Sequence, residues 1–85
     1  MNAQAEQVEL IPLAEVKRVA GISKSEVWRR VRARTFPQPV KLGPLTTRWN
    51  RPEVIAWVEQ RLAERDAQTA ERAQRRQQRA QPDAA

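Results

Sequence analysis

The chain has 85 residues, enough for one small domain, and it contains no cysteine and no histidine. That composition removes disulfides, thiol chemistry and the ordinary nitrogen and sulfur zinc ligands. The net charge of +6 is unevenly spread: residues 1–16 hold Glu6, Glu9 and Glu15 without a base, residues 17–51 hold ten bases against Glu26 alone, and residues 52–85 hold six of each sign. A basic cluster of that density is an electrostatic footprint for a polyanion, because each phosphate neutralised releases counterions.

Other classes are disfavoured at this level. The only glycines are Gly21 and Gly43, so there is no glycine-rich phosphate loop, and the acids are scattered rather than paired. An enzyme, a cofactor and a metal site are therefore not expected. No apolar run approaches the roughly 20 residues that span a bilayer, and the N-terminus lacks the basic and apolar regions of a signal peptide. A cytoplasmic protein without a membrane partner is the expectation.

Taken in order, residues 1–9 show no periodicity and are expected to be flexible. Leu10 to Leu13 is a short apolar entry, extended because Pro12 restricts Ile11. Leu13, Val16 and Val19 or Ala20 have helical spacing and stop at Gly21, which can take the left-handed backbone that ends a helix. Ser23 and Glu26 have capping-box spacing, so a second helix begins at Lys24 and is expected to run through residue 34. At about 100° per residue, Val27 and Val31 share a face with the stem of Lys24, whereas Ser25, Arg29 and Arg32 lie on another. Trp28 is at the border, read as a partly buried packing residue ahead of a base contact. Two short helices joined by a tight glycine-containing turn have the form of a helix-turn-helix.

Pro37 and Pro39 exclude helix after Arg34. Val40-Lys41-Leu42 and Thr47-Arg48-Trp49 alternate around a turn at Gly43 to Thr46. This predicts a β-hairpin with Val40, Leu42 and Trp49 inward and Lys41 and Arg48 outward. Asn50 is a suitable N-cap for a third helix with Pro52 in its first turn and Val54, Trp57, Val58 and Leu62 on its apolar stripe. The expected core is Val8, Leu10, Ile11, Leu13, Val16, Val19, Ile22, Val27, Val31, Phe36, Val40, Leu42, Trp49, Val54, Trp57, Val58 and Leu62. Beyond Leu62 the stripe is alanine only, so residues 63–85 read as an Arg/Gln/Ala-rich helical tail that frays and ends at Pro82. Arg72, Arg75, Arg76 and Arg79 fall on one face of it, read as a solvated basic face ahead of a second contact.

The runs Leu13-Ala-Glu-Val, Gly21-Ile-Ser-Lys-Ser-Glu-Val-Trp-Arg, Phe36-Pro-Gln-Pro-Val-Lys-Leu-Gly, Arg48-Trp-Asn and Glu53-Val-Ile-Ala-Trp-Val together resemble the AlpA family of prophage regulators. These are winged helix-turn-helix proteins similar to phage excisionases and to MerR-type DNA-binding domains. The resemblance covers roughly residues 10–62. It implies a mainly α fold with a small β-hairpin wing, sequence-specific binding of double-stranded DNA, and a phage or prophage transcriptional regulator in the bacterial cytoplasm, on the nucleoid. It also implies a second helix, 24–34, in the major groove, with Lys24, Ser25, Trp28, Arg29 and Arg32 facing the bases. The wing, 40–49, then lies on the backbone or an adjacent minor groove, with Arg48 and Lys41 matching its basic positions; by side-chain chemistry Lys24, Arg30, Arg34, Lys41, Arg48 and Arg51 are the expected phosphate contacts, with Thr46 and Thr47 beside them on the wing. Pro44-Leu45 departs from the family's wing tip, which often carries an arginine or a second glycine. Further copies on repeated sites and a recombinase are the other partners implied, the latter if the domain acts like an excisionase that bends DNA. A protein-interaction module using the C-terminal helix is the rival class, separable by its insensitivity to salt.

Overall fold

The computed structural model describes residues 8–80. Its elements are β1 (Leu10–Ile11), α1 (Leu13–Ala20), α2 (Lys24–Arg32), β2 (Val40–Gly43), β3 (Thr46–Asn50) and α3 (Arg51–Ala80). The strands form a three-stranded antiparallel sheet in the order β1-β3-β2. Helix, turn, helix and β-ribbon follow one another as in a winged helix-turn-helix, with a long helix after the wing.

The local signals act as their chemistry requires. Gly21 ends α1 with φ 71°, and its N–H donates to Lys17 O at 2.8 Å. Ser23 caps α2 by accepting from the Glu26 N–H at 3.2 Å, which satisfies one otherwise orphaned donor of the first turn. The far end of α2 is closed two residues earlier than expected. Arg34 N–H donates to Val31 O and Thr35 N–H to Arg30 O, at 3.1 and 2.9 Å, around Arg34 at φ 61°. That pair of bonds is a Schellman closure, and it turns the chain before Pro37 has any part in it. Arg34 is therefore outside the helix.

Ile11, Val16, Val27, Phe36, Trp49 and Val54 form the core, with Leu13, Val19, Ala20, Ile22, Trp28, Val31 and Trp57 packed around them. Two indoles hold the proline-bearing loop against it. Trp49 Nε1 donates to Pro37 O at 3.1 Å and Trp57 Nε1 to Thr35 O at 2.8 Å, so a segment short of N–H groups has its carbonyls satisfied from the core side. Phe36 meets Trp57 edge-on with ring centres 4.9 Å apart.

The hairpin corrects the expected inward set. A regular ladder continued from Gly43↔Thr46 would place Val40 opposite Trp49, on the core face. The actual pairs beyond the irregularity between Lys41 and Gly43 are Lys41↔Thr47 and Val40↔Arg48. One extra residue on β2, Leu42, shifts the register by one and turns that strand over. Val40 and Leu42 are consequently exposed, Leu42 at 57%. Lys41 and Arg48, expected on one outward face, lie on opposite faces of the ribbon.

The other departures are at the ends. Val8, Leu10 and Leu62 are exposed rather than core. Ile11 pairs with Trp49 in the sheet, which makes β1 a third strand where only an extended entry was expected. Glu9 belongs to this edge: its N–H donates to Asn50 Oδ1 at 3.1 Å and its carbonyl accepts from Arg51 N–H at 2.7 Å. The Asn50 side chain thus ties the entry strand to the start of α3. The expectations for Met1 to Gln7 and for Pro82 lie outside the described residues.

Candidate nucleic-acid interface

Helix α2 buries Val27 completely and half-buries Val31, and this fixes what its other surfaces present. Ser25, Arg29 and Arg32 are exposed on the surface pointing away from Val27, with exposed Lys24 at its edge. Trp28 is half-buried and packs on Trp49, ring centres 5.4 Å apart with planes at 60°, so only part of it is left to meet a ligand.

Glu26 has a larger part than the cap spacing suggested. Its backbone N–H takes the Ser23 bond, while its two carboxylate oxygens separately accept Arg29 and, at 2.8 Å, Arg30. The side chain does not reach back as in a full capping box; it holds two guanidiniums of the basic helix. Such i,i+3 and i,i+4 pairs contribute only a few tenths of a kcal/mol at a surface, so an anion of higher charge can displace them. Arg29 remains 69% exposed, whereas Arg30 is 34% exposed and stacks 5.5 Å from the centre of the Trp57 ring. Arg30 is therefore directed toward α3 and is the most restrained of the expected phosphate ligands.

Arg61 was not foreseen as part of this region. It sits 5.3 Å from the same Trp57 ring, and its buried Nε has no hydrogen-bond partner. Arg34, Trp57 and Arg61 line an open cleft between the proline-bearing loop and α3, together with Thr35, Phe36 and Glu53. The spacing that could have revealed Arg61 is its position four residues after Trp57, one turn along the same helix face.

On the wing, Lys41 is exposed and Thr46, Thr47 and Arg48 are half-buried. Arg48 Nη1 donates to Thr47 O at 2.9 Å. The tip is Pro44 and Leu45, with Leu45 97% exposed. Arg51 is half-buried at the start of α3, tied to Glu9 by its backbone. The structure thus gathers Lys24, Ser25, Arg29 and Arg32 on one surface of α2. Arg34 and Arg30 flank its C-terminal end, and the wing residues form a separate group.

The model of the prophage CP4-57 regulatory protein family, AlpA, matches residues 9–62 of this chain. The chain belongs to the AlpA family. The matched region begins at the sheet edge and ends where α3 loses its apolar stripe, so it takes in every core residue of the AlpA domain described here. The uncharacterized protein ORF88 of Enterobacteria phage P4 is 34% identical over 59 residues, which cover 69% of this chain and 67% of that protein. No solved structure matches the chain.

Proposed function

We propose that this AlpA-family protein binds double-stranded DNA sequence-specifically and acts as a phage or prophage transcriptional regulator. Helix α2 enters the major groove, and the β2–β3 wing lies on the backbone or the neighbouring minor groove. The observation that carries the reading is the two-sided construction of α2. One side is locked into the core by Val27 and Val31, and the other offers Ser25, Arg29 and Arg32 without any covering element. A helix so mounted fits the major groove, and arginine pairs bidentately with guanine there.

Arg29 and Arg32 read bases, Ser25 takes a phosphate or base edge near the positive end of the α2 dipole, and Lys24 lies at the groove edge. Arg34, Lys41, Arg48 and Arg51 position the duplex through phosphates. Arg29 turns to a base, and Arg30 joins the phosphate set, only on releasing Glu26. Opposed placement of Lys41 and Arg48 supports a wing that touches both walls of a minor groove, with Thr46 and Thr47 between. The apolar tip at Pro44-Leu45 supports a wing that rests on sugar rather than one that inserts a base-reading arginine. A domain of this size reads few base pairs, so further copies act together on repeated sites in the bacterial cytoplasm, on the nucleoid.

The test is selection of host-genome fragments by purified protein at near-physiological salt. Promoter fragments with repeated motifs support the regulator, and an attachment region would shift the role to an excisionase acting with a recombinase. Uniform recovery would refute sequence-specific reading. On a selected site, Arg29→Ala weakens binding by about 1–3 kcal/mol while random DNA loses less, measured by anisotropy at one salt concentration. Equal losses on both would reassign Arg29 to the backbone.

A further inference from the structure

Helix α3 outlasts the domain that it helps to build. Val54 is fully buried and Trp57 and Val58 are half-buried against the body, but every residue from Leu62 to Arg79 is exposed. An α-helix completes about five turns in eighteen residues. Arg72 therefore stands in line with Val54, Arg75 with Trp57, Arg76 with Val58 and Arg79 with Arg61. The face that is apolar where the domain covers it becomes a four-arginine face about 27 Å further along the axis.

The charges on the extension are sorted by position. Glu64 and Asp66 take Arg61 and Arg65, and Glu71 takes Arg75 at 2.8 Å. From Arg72 to Arg79 there is no acid, and Arg72 and Arg76 have no ion pair among the described residues. The four arginine side chains are neighbours on one exposed face of the helix. Like charges at i,i+3 and i,i+4 repel, and no apolar seam accompanies them, so this face is unsuited to a second helix and suited to a polyanion. Its azimuth selects which polyanion. Arg75 continues the line of Trp57, the residue on which Arg30 of α2 stacks, so one edge of the stripe lies on the side of α3 that Arg30 reaches.

We propose that Arg72, Arg75, Arg76 and Arg79 form a second, sequence-independent phosphate surface that takes the duplex flanking the site read by α2. The stripe lies beyond residues 9–62 matched by the family, and the inference rests on the DNA-binding reading of the domain. It lengthens the footprint and raises affinity for all sequences alike.

The experiment compares the full chain with R72Q/R75Q/R76Q/R79Q and with the corresponding four-lysine variant on a random-sequence duplex several helical turns long. Binding is titrated across salt concentrations, and helix content is checked by circular dichroism. At about 0.9 per phosphate, the glutamine variant lowers the slope of log affinity against log salt by about 3 to 4, and the lysine variant restores it. An unchanged slope in the glutamine variant, with the wild type binding, overturns the stripe and leaves the α2 reading standing. So does a loss of affinity without a change of slope, or a slope change seen only on single-stranded RNA. Failure of the wild type to bind duplex DNA sinks both.

Discussion

Two residues with left-handed backbone close the two helices of the helix-turn-helix, and they differ in chemistry. Gly21, at φ 71°, has open space where a Cβ would stand, so Gly21→Ala meets no clash and suffers backbone strain alone. It is expected to lower stability by about 1 kcal/mol in urea unfolding. Arg34 holds φ 61° at a position where glycine is the residue of least strain. Arg34→Gly is expected to raise stability by about 1 kcal/mol in the same assay and, in anisotropy, to weaken DNA binding. A guanidinium retained at a strained turn beside α2 supports a binding role. A destabilised Arg34→Gly would show that the turn is held for its backbone after all. This turn was not legible in spacing, because it depends on where the chain goes after Arg32, whereas the double grip of Glu26 on Arg29 and Arg30 has the i,i+3 and i,i+4 spacing of pairs within one helix.

Among the elements, the strands depend most on one another. The bulge at Leu42 decides which side chains of β2 meet the core, and it removes Val40 and Leu42 from the set that alternation had put there. Ile11 gains its burial from pairing with Trp49 across β1 and β3. The contrast gives an expected outcome: Leu42→Thr changes unfolding free energy by less than about 0.5 kcal/mol, as at other exposed positions. Ile11→Thr, which buries an unmatched hydroxyl in place of an ethyl group, costs about 2 kcal/mol or more. Comparable losses at the two sites would mean that β2 packs in the regular register. The helices are more legible in the sequence, because caps and 3.6-residue spacing act within a single segment. The bounds of α1 follow from Leu13, Val16 and Gly21, and the start of α2 from Ser23.

At the scale of the whole molecule, the chain divides its stability unequally. It is 70 Å long because α3 continues away from the body, and the extension beyond Leu62 has no apolar face to dock. Helix without packing is marginal and melts separately from a cooperative core. All three tryptophans lie in the domain. Thermal unfolding followed by tryptophan fluorescence and by far-ultraviolet circular dichroism is therefore expected to give non-coincident transitions, with helix signal lost first. Superimposable curves would show the extension to be part of the cooperative unit. Saturating duplex DNA should raise the lower transition if the arginine stripe engages phosphate.

The sequence by itself determined the class of this protein. A +6 chain without cysteine or histidine, with a capped basic helix after a glycine turn and a proline-bearing loop before a hairpin, carried the AlpA resemblance that the family match over residues 9–62 established. It also named most of the core, since Val16, Val27, Trp49 and Val54 lie on periodicities internal to their own elements and Phe36 is the one large apolar residue of the proline-bearing loop. Only the tertiary structure decided the third strand, the turned-over face of β2 and the stacking of Arg30 on Trp57. Those are relations between segments far apart in the chain. A local pattern fixes which face of an element is apolar, but register and packing fix what that face meets.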